Sequence, residues 1–319
     1  MRVLFFADRE CVEGFAPLSD YTLPPALLYG GRLLAEYWAE RIGAEGAGLA
    51  LRGRLAESIQ WTTGGRLAPA SAGHGDLLLN SCASPFSEEV VSLVKGFSGI
   101  RGGAVYAGGR VVAAKIPGGA DALFEAFTGL VEAELVYGNM AAFEEEEIAP
   151  QGVFLDPRSL LRALRGQEGG GGGVVEEGAV VRGRVYLGPG ARVAPGAYVE
   201  DSVVEGDAVI EGRVRGSYVS KNTWVAGYVR DSILGLGTQV YPGSYVENSV
   251  TGVYTRVLPG AYLSGVRARH GDAVRGVEGL GDALEEYRRI LYSRWGRLPS
   301  RFEEELLRGR QVSRRGRRP

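Results

Sequence analysis

The stretch VYLGPGARVAPGAYVEDSVVEGDAVIEG, Val185 to Gly212, spaces small and medium apolar residues at near-constant intervals, with glycine or proline between them. Val175, Val181, Leu187, Val193 and Val199 are each six residues apart. Ala179, Val185, Ala191 and Ala197 follow the first four of these by four residues. The rhythm slips by one at VEDSVV and resumes with Val204, Ala208 and Ile210. Val219 with Thr223 and Val225 with Val229 continue it. A second slip at VRDSIL leads to Leu234, Thr238, Val240, Ser244 and Val246, and a third at VENSVT to Thr251, Thr255, Val257, Ala261 and Leu263. Six is not a helical period. A short strand followed by a tight turn produces it, with one larger apolar residue filling the interior and one small residue fitting the corner. Such a repeat buries its apolar face only by stacking on its neighbours, which predicts a β-solenoid. Sandwich strands recur at wider spacing, roughly every 8–12 residues.

Upstream, residues 1–165 read as mixed α/β. VLFFA (3–7), GLALRG (48–53) and DLLLN (76–80) are strand-like, and AVYAGGRVVAAK (104–115) reads as a hairpin turning at Gly108–Gly109. RLLAEYWAERIG (32–43), SPFSEEVVSLVKGF (84–97) and ADALFEAFTGLVEAEL (120–135) are helical, the second capped by Ser87 with Glu88 and Glu89 in its first turn. This alternation predicts a parallel or mixed sheet with helices on its faces. GGGGG (169–173) marks a flexible linker over 166–174. The solenoid is expected over 175–270 and C-terminal helices over 271–310, the helical pattern itself (DALEEYRRILYSRWG, RFEEELLRGR) beginning after Gly281. Such helices can cap the solenoid or pack beside it. A disordered basic tail is expected over 311–319, either solvated or touching RNA or phosphate.

The chain has 319 residues, 45% of them hydrophobic, enough for two domains with real cores. A net charge of −2 gives no global field toward nucleic acid or an anionic membrane. No apolar window reaches transmembrane length, and the short N-terminal run MRVLFFAD reads as a buried strand, so a cytoplasmic protein is expected. Cys11 and Cys82 form no CxxC pair and give no disulfide framework. His74 and His270 are far apart, which argues against a zinc-dependent hydrase.

The hexapeptide pattern resembles the left-handed β-helix acyltransferases, which the resemblance implies are three-sided trimers binding acyl-CoA between subunits. PLSDYTLPPALLYGGRLLAEYWAERI (17–42) and GDLLLNSCASPFSEEVVSLV (75–94) resemble sugar-1-phosphate nucleotidyltransferases. The pairing is similar to the bifunctional N-acetylglucosamine-1-phosphate uridylyltransferase/glucosamine-1-phosphate acetyltransferase family, and to less characterised sugar nucleotidyltransferases like it. The resemblance covers most of residues 1–270. It implies a transferase of sugar-nucleotide metabolism that binds a sugar phosphate or nucleotide sugar, uses acetyl-CoA as acyl donor and Mg²⁺ as cofactor, and assembles as a homotrimer through the β-helix.

Departures from those families are concentrated at the chemistry. ADRECVEGFAPLS has one glycine, Gly14, where the family places a Gly-rich phosphate loop. Pro25 or Ala26 stands at the family's lysine, and Cys82 at its Mg²⁺-binding aspartate; thiol is a poor magnesium ligand. Asp8, Asp76 or Asp156 could replace that aspartate, and Arg9 could contact a phosphate or lie at the surface. In WVAGYVRDSILG (224–235), the resemblance matches Tyr228 to a tyrosine and Asp231 to an aspartate of the acyltransferase site, but puts Val225 at the histidine that acts as general base. Gln239 falls at the asparagine that steadies the oxyanion. Lys221, the lone lysine of this region, can bind phosphate, act as base, or sit on a rim; His270 is a further candidate base. Tyrosines 186, 198, 218, 228, 241, 245, 254 and 262 decorate the prism, either as half-buried sheet residues or as platforms for trimer contacts or a sugar ring. With Tyr228, Gln239 and Lys221 as candidate catalytic residues, and Arg9, Tyr228 and Asp231 as candidate substrate contacts, both usual centres are degenerate. The alternative is a catalytically inactive regulatory or scaffolding homologue that keeps the fold and a ligand pocket; a purely structural trimer is a third.

Overall fold

A computed structural model describes residues 1–51, 53–70, 76–97, 103–107, 110–115, 144–148, 154, 156–164 and 171–278. The chain divides into two compact units, Met1–Leu164 and Arg165–Pro319.

The first unit runs β1 (Arg2–Phe6), α1 (Arg9–Phe15), two short 3₁₀ turns, β2 (Leu28–Tyr29), β3 (Arg32–Leu33), α2 (Leu34–Ile42), β4 (Gly46–Leu49), α3 (Arg54–Thr62), β5 (Leu77–Asn80), α4 (Glu88–Phe97), β6 (Gly103–Ala107), β7 (Arg110–Lys115), β8 (Glu144–Ile148) and α5 (Pro157–Leu164). Six strands form one mixed sheet in the order β4-β1-β5-β7-β6-β8. β1 is parallel to both β4 and β5, and β7 is antiparallel to β5 and β6. β1 and β5 are near-continuous apolar runs because side chains on both of their faces are buried. The helix expected over 32–43 starts at Leu34, because Arg32–Leu33 instead closes a two-stranded hairpin around Gly30 and Gly31, both at positive φ. α2 buries Leu34, Ala35, Trp38, Ala39 and Ile42 on one face and ends at Gly43, which adopts the left-handed conformation (φ 71°) that glycine tolerates. Ser87 caps α4, its hydroxyl accepting from the Val90 N–H at 3.4 Å. The helix expected over 120–135 and the turn at Gly108–Gly109 lie outside the described residues.

The expectation that the two cysteines make no disulfide is overturned. Cys11 on α1 and Cys82 in the loop after β5 are bonded to each other, both almost fully buried. They lie 71 residues apart in sequence, but β1 and β5 are adjacent, and this brings α1 over the end of β5.

In the second unit a parallel β-solenoid of about six turns spans residues 174–274. Its first face stacks Val174–Val175, Arg192–Val193, Val209–Ile210, Trp224–Val225, Gln239–Val240, Arg256–Val257 and Ala273–Val274. The second stacks Val180–Arg182, Tyr198–Glu200, Arg213–Arg215, Tyr228–Arg230, Tyr245–Glu247, Tyr262–Ser264 and Val277–Glu278. The third stacks Tyr186–Leu187, Val203–Val204, Tyr218–Val219, Ile233–Leu234, Val250–Thr251 and Arg267–Ala268. Residues 271–278 therefore continue the strand stack, and the helices expected after Gly281 and the basic tail lie outside the described residues.

The predicted register is the core: Val193, Val199, Val204, Ile210, Val219, Val225, Leu234, Val240, Val246, Val257 and Leu263 all have 0% exposure. The predicted small residues occupy the corners, where Thr238 and Thr255 donate to the Gly252 carbonyl and Thr238 also bonds the hydroxyl of Thr251, the inward residue of its strand. Val175 and Val181 are exposed because the first coil has no coil beneath it.

The slips in the rhythm are all at one corner, between the second and third faces, where a single left-handed residue turns the chain. Gly183, Asp201, Gly216, Asp231, Asn248 and Gly265 occupy that position, types that tolerate positive φ. Behind it runs a serine ladder. Ser202, Ser217, Ser232 and Ser249 each donate to the carbonyl two residues back and accept the N–H of the equivalent residue in the next coil, at 3.1–3.2 Å. A second shortening, not anticipated, falls between the first and second faces at Gly212 and Gly227. A Cβ on Gly212 would meet the Gly227 carbonyl oxygen at 2.1 Å. With both corners tight, Arg213 and Tyr228 pair one coil apart although only fifteen residues separate them.

Candidate functional site

On the second-face strands from Tyr198–Glu200 to Tyr262–Ser264 the first and third side chains point outward and the middle one fills the core, following the two-residue alternation of a strand. The outward first column carries Tyr198, Arg213, Tyr228, Tyr245 and Tyr262 in register. The rings of Tyr228 and Tyr245 lie 5.6 Å apart, and those of Tyr245 and Tyr262 6.3 Å. Tyr245 is 49% exposed, so this aromatic column faces solvent. On the third face, by contrast, the outward residues Tyr186, Val203, Tyr218, Ile233 and Val250 are all buried.

The third column of the second face runs Arg182, Glu200, Arg215, Arg230, Glu247 and Ser264. Arg215 Nε pairs with Glu200 at 3.1 Å, and Arg230 pairs with Glu247 on the opposite side. Tyr198 and Tyr262 donate their hydroxyls to the same glutamates, each at 2.9 Å. The bond to Glu200, with lesser desolvation, raises the Tyr198 phenol above its ordinary value. Between the two arginine–glutamate pairs lies a half-open cavity of about 450 Å³, lined by Asp201, Arg215, Gly216, Arg230 and Asp231.

Asp231 lines this cavity, and Tyr228 lies on the strand that leads to it, two residues before Arg230. The other candidates lie elsewhere. Gln239 points out from the first face, its Oε1 accepting from the Tyr241 hydroxyl at 3.1 Å. Tyr241 in turn packs edge-on against Trp224, whose Nε1–H donates to Glu211 at 3.0 Å. Lys221 sits on the turn from the third face to the first, where its backbone N–H donates to Glu205 at 3.0 Å. Glu205 is buried and also accepts from the buried Tyr218 hydroxyl. Burial raises its carboxyl above the ordinary range, against the lowering effect of both hydrogen bonds. Val225, where the resemblance puts a general base, faces the core with 0% exposure. His270 accepts the Val253 N–H at its Nδ1, 2.8 Å away, and so serves the corner above Gly252.

In the first unit Arg9 is exposed on α1 and paired with Glu13 at 2.7 Å. The three aspartates that could replace the magnesium ligand already hold structural partners. Asp8 caps α1 through the Cys11 N–H and accepts from Asn80. Asp76 takes a two-pronged contact from Arg2, at 3.2 and 2.6 Å. Asp156 caps α5 through the Ser159 N–H. With Cys82 in a disulfide, these residues do not fit a magnesium site, and among the described residues no three His, Cys, Asp or Glu side chains are grouped to hold a metal.

No helix among the described residues is long and apolar enough to cross a membrane. No known family model matches the chain. No curated protein matches it either.

Proposed function

We propose that the chain is a ligand-binding β-solenoid protein on the two-part plan of the sugar nucleotidyltransferases, with neither of their catalytic centres in working form, and that its ligand is a sugar phosphate or nucleotide sugar held on the second face. The inward burial of Val225 carries this reading. A side chain pointing into the stacked core cannot take a proton from a substrate in an outside groove. The partners of Asp8, Asp76 and Asp156 support it for the first unit, since each carboxylate already caps a helix or holds an arginine. The ligand class is supported by the open tyrosine column, by the polar cavity beside it and by Arg213, exposed and in register with Tyr228. Assembly as a homotrimer through the solenoid belongs to the same reading, and rests on the family resemblance.

The test is calorimetry on the full chain with nucleoside triphosphates, UDP-sugars, sugar 1-phosphates and acetyl-CoA, with and without Mg²⁺, alongside assays for released pyrophosphate and free CoA. Binding of a sugar ligand with release at the buffer rate is expected. Pyrophosphate or CoA formed above that rate would establish a working transferase, with Mg²⁺ or acetyl-CoA as its partner, and overturn the proposal.

A further inference from the structure

The cavity at the second corner has a chemistry more specific than its position. Arg215 and Arg230 are in register on adjacent strands, which stack about 4.8 Å apart. Two guanidiniums so placed repel each other. Each is drawn away to a glutamate on its far side, Arg215 to Glu200 and Arg230 to Glu247, and the space between them opens. Gly216 lines the same space and brings no side chain into it. Asp201 and Asp231 complete the lining, Asp201 turning Oδ1 to the Arg184 N–H at 3.0 Å. Among the described residues one donor there is unspent: Arg230 Nε–H is buried without a hydrogen-bond acceptor, with Asp231 Oδ2 3.8 Å away. A buried donor left in that state is costly, and a ligand oxygen would relieve it.

The charge pattern selects the ligand. Both guanidiniums are already matched by glutamates, and two aspartates are added, so the lining has no surplus positive charge to hold a phosphate. Hydroxyl groups suit it better, because each can donate to a carboxylate and accept from a guanidinium. Tyr228, two residues before Arg230 on the same outward face, supplies a flat apolar surface in the neighbouring column, outside the cavity lining itself. We propose that this cavity binds the uncharged sugar ring of the ligand, its hydroxyls bridging Asp201 and Asp231 to Arg215 and Arg230 and one face of the ring lying on Tyr228. The proposal rests on the binding function proposed above and assigns it a position.

The repeat itself supplies substitutions the backbone accepts. Asparagine occupies the Gly216 position at Asn248, at φ 48°, so Gly216→Asn keeps the turn and fills the cavity. Asp231→Asn keeps the turn and removes a carboxylate. Tyr228→Val copies Val180 in the same column. The full-length chain and the three variants are titrated with UDP-glucose, UDP-N-acetylglucosamine, glucose 1-phosphate, glucose, UDP and inorganic phosphate, with thermal melts confirming the fold. The expected result is binding of the sugar-bearing probes, weakened about tenfold or more by Gly216→Asn and by Asp231→Asn at unchanged melting temperature, and less by Tyr228→Val. Sugar binding that survives all three variants overturns this site and leaves the binding function standing. UDP or phosphate binding as tightly as the sugar probes, and weakened by the same variants, overturns the choice of an uncharged ring. No binding by any probe overturns both.

Discussion

The two units achieve burial in opposite ways. In Met1–Leu164 every contact is made once: Trp38 Nε1 reaches the Ala83 carbonyl, Arg2 reaches Asp76, and Cys11 closes on Cys82. In the solenoid a few contacts are repeated, an inward valine or leucine on each face and a serine at one corner. A unit of the first kind places the same residue type in different roles, as Asp8, Asp76 and Asp156 show. In a unit of the second kind a residue's role follows from its column, and any exception to its column stands out. Arg215 and Arg230, two like charges stacked where Glu200 and Glu247 continue the column on either side, are such an exception.

The largest effect that would sharpen this contrast comes from the disulfide. It closes a loop of about 71 residues in the first unit, worth about 4 kcal/mol on loop-closure grounds. Replacing both cysteines by alanine, or reducing the bond, should raise amide exchange throughout β1, α1 and β5, while exchange in the solenoid stays as it was. Hydrogen-exchange mass spectrometry reads both units in one experiment. Equal loss of protection in the solenoid would mean that the two units share stability.

A second substitution tests the repeated core. Val225→His would create the base that the acyltransferase resemblance asks for, but at an inward position. We expect a loss of about 3 kcal/mol from burying an imidazole among valines, concentrated in the central coils, and no transfer of an acetyl group from acetyl-CoA. A folded, acetylating variant would show that the side chain at 225 reaches an outside groove.

The same contrast explains what could be read from residues alone. The core register was legible because only a six-residue spacing lets Leu187, Val193 and Val199 face inward together, and the slips at VEDSVV, VRDSIL and VENSVT marked a real corner. The tighter corner at Gly212 and Gly227 was not, since nothing local distinguishes those glycines from the many others. This omission hid the cavity. On an unbroken six-residue repeat, Arg215 would sit opposite residue 233; the shortened coil sets it opposite Arg230. Tyr228 and Asp231 were named through a resemblance, whereas Asp201, Arg215 and Gly216 are brought beside Asp231 only by stacking. In the first unit α1, with seven residues, and α3 were too short or weakly patterned to register. The cysteine pair gave no local signal because β1 and β5, not sequence proximity, bring it together.

The smallest expected effect concerns how each unit treats a buried carboxylate. Asp76 in the first unit meets a guanidinium, which its hydrogen bond and charge hold still more firmly protonated. Among the described residues Glu205 in the solenoid meets a phenol, a backbone N–H and the more distant charge of Lys221, and burial outweighs them, so its carboxyl is raised. A carboxyl raised in the folded state holds its proton more tightly there than in the unfolded chain. Its contribution to stability is therefore full below the unfolded value of about 4.3 and is lost as the pH climbs through the folded value. Glu205→Gln cannot ionise, so its stability relative to the parent should rise as the pH climbs above about 4.3 toward the raised folded value, with the gain confined to the solenoid. Tyr218→Phe, which removes one of the bonds favouring the ionised form, should move that rise to higher pH. Melting curves of parent and variants across this range, with exchange measured at the two ends, give both the direction and the unit. A difference that stays flat with pH would mean that Glu205 ionises in the folded solenoid as readily as in water.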